Sequence, residues 1–253
     1  MATPVVLITG ALTGIGRSTA FAFAKNGAKL VVSGRHEDAG EALAGELRAL
    51  DTEAVFARAD VRHEADVEGL VDQAVERFGR LDVAVNNAGT EGRIAPIVEQ
   101  TPESYADTFD TNVLGMLLSM KHEFRAMLAQ GGGSIVNITS VYGEIGLTSA
   151  SVYVGSKHAV IGLTRVAALE GAASGIRVNA VAPGFTETAM MHRATGTDEV
   201  RSAVLEVIPQ RRFGRPDDIA AVIVLLASDA CAYLTGQVVT VDGGLTAGLP
   251  IRA

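Results

Sequence analysis

Tyr153 and Lys157 stand four residues apart in the stretch Tyr153-Val154-Gly155-Ser156-Lys157, inside a helical pattern that runs from about Ala150 to Ser174. On a helix, residues four apart lie one above the other on the same face, so the phenol and the ammonium can serve one small volume. A phenol ordinarily titrates near pH ~10, and a neighbouring positive charge favours the phenolate and lowers that value. The pair therefore reads as a general acid/base that could work near neutral pH. The same spacing also describes a buried aromatic with a surface lysine one turn on, and such coincidences are common, so the pair needs companions elsewhere in the chain.

The elements that must position it alternate from end to end. Short β-branched runs at Val5–Thr9, Lys29–Ser33, Glu53–Arg58, Leu81–Asn86, Ser134–Thr139, Arg177–Ala182 and Val238–Val241 read as strands. Between them, helical patterns cover Arg17–Asn26, Asp38–Leu50, Glu64–Phe78, Pro102–Ala129, the Tyr153 stretch and Pro216–Ser228, with Gly27 and Gly79 as stops. Strands alternating with helices predict an α/β fold: a Rossmann-type, doubly wound parallel sheet covered on both faces, with right-handed crossovers. No linker, low-complexity tract or repeat interrupts the chain, so residues 1–253 are expected to form a single dinucleotide-binding catalytic domain. The longest stretch without clear periodicity is Pro183–Arg215, with room for one short helix; its part from about 185 to 215 is expected to be a substrate lid.

Strand ends carry the remaining chemistry. Gly10-Ala11-Leu12-Thr13-Gly14-Ile15-Gly16 joins the first strand to the first helix. Glycines permit a tight turn and a close approach of phosphate oxygens to the backbone, and the helix start offers unpaired N–H groups to a pyrophosphate. The second strand ends at Ser33-Gly34-Arg35-His36, with Gly34 where an acid for a ribose 2′-hydroxyl would be sought and Arg35 next to it. That favours NADP(H) over NAD(H); Glu37 and Asp38 nearby, or an Arg35 that is merely solvated or stacked on an adenine, keep NAD(H) open. Asp60-Val61 follows the third strand, where the carboxylate could accept from an adenine amino group. Asn86-Asn87-Ala88-Gly89 ends the fourth, small enough for backbone to lie against a cofactor.

Taken together these residues resemble the short-chain dehydrogenase/reductase family, in its branch of roughly the present length. The resemblance rests on Thr9-Gly10 with Gly14 and Gly16, Asp60, Asn86-Asn87-Ala88-Gly89, Asn112, Ser140, Tyr153 with Lys157, Pro183-Gly184 and Asp242-Gly243-Gly244, in that order. It implies a seven-stranded sheet, a nicotinamide cofactor and a homotetramer. It further implies that Tyr153 moves a proton to or from the substrate oxygen and that Ser140 hydrogen-bonds that oxygen. Lys157 would hold the nicotinamide ribose and keep the Tyr153 pKa low, and Asn112, within the long fourth helix, would hold a water in the proton path. Thr13, Ile15, Val61, Asn87, Ala88, Gly89, Pro183, Gly184 and Thr188 join Gly10, Gly14, Gly16, Arg35 and Asp60 as expected cofactor contacts. One departure is Thr186, where the family often has an apolar residue. Segments 90–98, 141–149 and 185–209 are expected to line a mainly apolar pocket for a small alcohol or ketone, with Glu91, Arg93, Glu144 and His192 as polar contributors.

Composition bounds the alternatives. A net charge of −8 argues against a nucleic-acid partner, and one cysteine excludes an internal disulfide or a cysteine zinc site. The five histidines are scattered without metal-ligand spacing, so no metal is expected. The first residues lack the features of a signal peptide and no apolar run is long enough for a bilayer, which makes a cytoplasmic protein off the membrane the expectation. The leading function is an NAD(P)-dependent oxidoreductase acting on a secondary alcohol or ketone. A cofactor-sensing protein without turnover is the alternative from another class, although a sensor would not need the full set Asn112, Ser140, Tyr153 and Lys157. A lyase or isomerase on the same fold would want a further acid/base pair.

Overall fold

A computed structural model describes residues 3–248. Among these, seven parallel strands form one sheet in the order β3-β2-β1-β4-β5-β6-β7. The strands are β1 (Val5–Ile8), β2 (Lys29–Gly34), β3 (Ala54–Arg58), β4 (Val83–Asn86), β5 (Gly133–Ile138), β6 (Ile176–Pro183) and β7 (Val238–Val241). The helices are α1 (Gly14–Lys25), α2 (Glu37–Arg48), α3 (Glu64–Phe78), α4 (Pro102–Phe109), α5 (Gly115–Gln130), α6 (Ser151–Gly171), α7 (Ala189–Thr195), α8 (Asp198–Val207) and α9 (Pro216–Ala227).

Strand β1 is buried throughout, and its alternation divides the core. Val6 and Ile8 face α1, α2 and α9 through Phe23, Leu43, Leu47, Ile219 and Ile223. Val5 and Leu7 face α3, α5 and α6 through Leu70, Met116, Met120, Met127 and Val160. A strand buried on both faces gains from apolar residues at every position, which is why β1 reads as an unbroken apolar run. The connections reverse direction between β1 and β4, leaving a crevice at the carboxyl ends of those strands, where ligands bind in sheets of this kind.

Two elements differ from the sequence expectation. The single helix expected over Pro102–Ala129 is α4 and α5 joined by a π-helical turn at Asp110–Leu114, and Asn112 sits inside that turn. The segment expected to be largely irregular holds two helices, α7 and α8, each started by a threonine: Thr188 accepts from the Met191 N–H at 3.2 Å and Thr197 from the Val200 N–H at 3.4 Å.

Candidate active site

The glycine turn is built onto the end of β4. The Asn87 side chain donates to the carbonyls of Thr9 (3.1 Å) and Gly10 (2.9 Å), and the Thr9 hydroxyl accepts from the Asn87 and Ala88 N–H groups at 3.1 and 3.2 Å. Gly10, at φ +63°, leaves no room for a side chain, since a Cβ there would stand 2.8 Å from Ala88 Cα. A Cβ on Gly16 would meet the Gly10 carbonyl at 2.4 Å. Thr13 precedes α1 without capping it, and the first turn of α1 carries no acidic residue, whereas α2, α3, α8 and α9 all do. The free N–H groups and the positive end of the helix dipole of α1 thus suit an anionic phosphate. Ile15, in the first turn of α1, packs against the core on that face of the sheet.

Arg35 lies exposed just beyond β2 and makes no ion pair among the described residues. Behind it, Gly34 abuts Leu12 of the glycine turn, and a Cβ on Gly34 would lie 2.6 Å from the Leu12 side chain. Asp60 is already engaged. Its carboxylate accepts from Arg62 Nε at 2.9 Å and Nη2 at 2.6 Å, which holds its pKa down at about 2. An adenine amino group would have to share that carboxylate with Arg62. Val61 is buried against the start of α5.

On the other side of the crevice the four polar residues come together. Lys157 is buried on α6, its Nζ 5.8 Å from the centre of the Tyr153 ring and 3.0 Å from the Ile138 carbonyl that ends β5. Burial pulls its pKa down to about 8. The Asn112 amide clamps Thr90, accepting from its N–H at 2.8 Å and donating to its carbonyl at 2.9 Å, and it also donates to Ser156 Oγ at 3.0 Å. Gly89 lies between the two: a Cβ there would be 3.3 Å from Asn112 Oδ1 and 3.6 Å from Lys157 Nζ. Ser140 follows β5 and opens the short turn Val141–Gly143, its hydroxyl accepting from the Tyr142 N–H at 3.2 Å.

The electrostatics of Tyr153 differ from the sequence expectation. Burial raises the phenol's pKa; hydrogen bonding by Ser140 opposes that, and the charge of Glu91 adds to it. Lys157 does not offset that burial: its ammonium gives one N–H to the Ile138 carbonyl and is itself destabilised by burial.

Pro183 pairs with Val241 at the end of β6, and the Gly184 N–H donates to the Val241 carbonyl at 3.0 Å. A Cβ on Gly184 would meet Asp242 Cα at 2.8 Å, which explains the glycine. Thr188 reaches back across the crevice, its methyl 3.0 Å from where a Cβ on Gly14 would stand. Sequence reasoning named Glu91 but not its partner Arg193, whose Nε and Nη2 donate to it at 2.6 and 3.1 Å. No local signal could have joined residues 102 apart in the chain. Among the described residues no cluster of three or more His, Cys, Asp or Glu could hold a metal, and no helix is long and apolar enough to cross a membrane.

Comparisons with known proteins agree with this geometry. A family model described as enoyl-(acyl carrier protein) reductase matches residues 10–246. The chain is 41% identical over 244 residues to a 2,5-dichloro-2,5-cyclohexadiene-1,4-diol dehydrogenase of Sphingobium indicum, covering 96% of each protein. It is 38% identical over 242 residues to a cyclohexanol dehydrogenase of an Acinetobacter species, covering 96% of this chain and 94% of that one. Its fold is similar to the crystal structure of levodione reductase, with a TM-score of 0.95 at 37% identity, over 98% of this chain and 100% of the other.

Proposed function

The chain belongs to the short-chain dehydrogenase/reductase family, and on that premise we propose that it interconverts a secondary alcohol on an apolar, cyclic skeleton with the corresponding ketone. The observation that carries this reading is the meeting of Ser140, Tyr153, Lys157 and Asn112 at the carboxyl end of the sheet, next to the glycine turn. The skeleton is suggested by the two relatives named for cyclic alcohols and by the pocket segments, which include Tyr142 edge-on to Phe185 at 6.1 Å.

The nicotinamide cofactor, when bound, supplies or accepts the hydride. The rest falls to the chain's own groups. Ser140 donates to the substrate oxygen and fixes it beside the phenol. Tyr153 gives its proton to that oxygen in reduction and takes it back in oxidation. Lys157, with only the Ile138 carbonyl as a partner, is free to donate to ribose hydroxyls and to place positive charge below the phenol. Asn112 holds Thr90 and Ser156, keeping the floor of the site rigid and offering a place for a water that exchanges protons with bulk solvent. Gly10, Thr13, Gly14, Ile15 and Gly16 would cradle the pyrophosphate, Asn87, Ala88 and Gly89 the ribose side, and Pro183, Gly184 and Thr188 the nicotinamide. NADP(H) is favoured because Arg35 stands free where a 2′-phosphate would lie, and Leu12 fills the volume an acidic side chain at Gly34 would need. The segment 185–215 serves as the lid, and the protein works as a cytoplasmic homotetramer.

The test is a titration of the purified protein with NADPH and NADH, followed by a panel of cyclic ketones and alcohols with the tighter cofactor. Tyr153→Phe should lower kcat by about 1000-fold while leaving cofactor affinity within about twofold. Full activity in that variant would remove Tyr153 from the chemistry. Cofactor binding without turnover on the whole panel would favour the sensing alternative.

A further inference from the structure

Glu91 is placed with unusual care for a loop residue. On one side Thr90 has both backbone groups held by the Asn112 amide. On the other side Gly92, at φ +66°, is pressed so closely to Thr108 that a Cβ would stand 2.3 Å from its hydroxyl. The carboxylate between them is about four-fifths buried, with a side-chain exposure of 20%, and it lies near enough to Tyr153 to act on the phenol. Its partner comes from the segment that covers the site. Arg193, in the middle of α7, binds it with two donors of the guanidinium fork, a geometry with directional preference as well as charge. Met191 of α7 is buried against Phe185, Ile208 and Phe213, all within segment 185–215. His192 and Arg201 meet Glu187, a contact within segment 185–215 itself.

We propose that Glu91 and Arg193 form a latch, in which a rigidly mounted carboxylate draws α7 down over the catalytic hydroxyls and the arriving guanidinium neutralises that carboxylate beside Tyr153. The effect on catalysis rests on the oxidoreductase reading above; the latch itself does not. The groups facing Tyr153 are Lys157 on its own helix, Ser140 and Tyr142 after β5, and Glu91 after β4. Of these Glu91 is the one negative charge, so its neutralisation favours the phenolate.

Three variants separate the two roles: Arg193→Met, which frees both the helix and the charge; Glu91→Gln, which frees the helix and removes the charge; and Arg193→Lys, which keeps a cation. Hydrogen exchange over residues 189–207 needs no substrate. It should quicken about fivefold in Arg193→Met and Glu91→Gln and stay close to wild type in Arg193→Lys, the scale expected for one partly exposed pair. Unchanged exchange in the first two overturns the latch, whatever the reaction proves to be. In alcohol oxidation, KM should rise about fivefold in both. The limb of the kcat/KM profile that rises with pH should move up by about half a pH unit in Arg193→Met and down in Glu91→Gln. Movement in the same direction in both, or none, overturns the electrostatic role. A wild-type protein without turnover would refute the oxidoreductase reading and leave the exchange result to decide the latch.

Discussion

Glu123 is a buried ionisable group that the proposed chemistry leaves unused. It sits on α5 under β4, accepts from the Asn86 side chain at 3.0 Å, and burial pushes its pKa from 4.5 up to about 8. The folded protein therefore keeps this proton across a window in which the unfolded chain has lost it. Native stability must fall as pH rises from about 4.5 to about 8, because the unfolded state binds fewer protons there. Glu123→Gln keeps an acceptor for Asn86 and removes the titration. It should raise stability at about pH 8 by on the order of 3 kcal/mol and change it little below about pH 4.5, as read by denaturant unfolding at both pH values. An equal change at both would mean packing, not protonation, dominates. Sequence reading had no hold on this residue, since one glutamate in an amphipathic pattern reads as solvated. Tyr153, Ser140 and Gly10 were legible because each is fixed by its place at a strand end or a helix turn. The raised phenol pKa was not, because it depends on what else encloses the ring.

At the scale of elements, helix ends decide how the sheet and its cover are joined. Helix α9 closes with carbonyls that need donors, and Arg177 on β6 supplies them: its guanidinium donates to the carbonyls of Leu226 (2.9 Å), Ala227 (3.1 Å) and Ser228 (3.2 Å). A cation at a helix C-terminus also complements the dipole. Arg177→Met, of similar length, leaves those carbonyls without their donor, and should cost about 2 kcal/mol in the unfolding free energy measured with urea. An unmoved midpoint would mean that water replaces the arginine without loss. Clear periodicity and the stop at Gly79 made α3 readable to the residue. The π turn at Asp110–Leu114 was hidden, because one wider turn hardly disturbs an apolar pattern over 29 residues of helix. Helix α7 was hidden for a different reason: seven residues are too few to establish a period, and only its cap, Thr188, marked the start.

For the whole molecule, the question is what covers the apolar side chains that the fold leaves outside. Hydrophobic residues make up 48% of the chain, and some of the large ones stay exposed among the described residues. One group of these lies on neighbouring helices: Tyr105 on α4, Leu117 and Leu128 on α5, Val166 and Leu169 on α6 are all at least 47% exposed, Leu169 reaching 81%. Tyr105 is stacked on Phe109 with ring centres 4.2 Å apart, a preformed rather than a loose surface. Apolar side chains grouped on packed helices mark a contact between chains, and closed symmetry lets one such face serve two copies at once. Sedimentation of the wild-type protein should give the mass of four copies of a 26.2 kDa chain. Leu169→Glu places a charge at the most exposed of these positions, so it should shift the mass toward smaller species and lower Tm without loss of the monomer fold, since the side chain takes no part in the core. A monomeric wild type at micromolar concentration would reject the tetramer. An unshifted variant would place the interface on another face, with Leu225 of α9 and Tyr233 before β7 the next positions to charge.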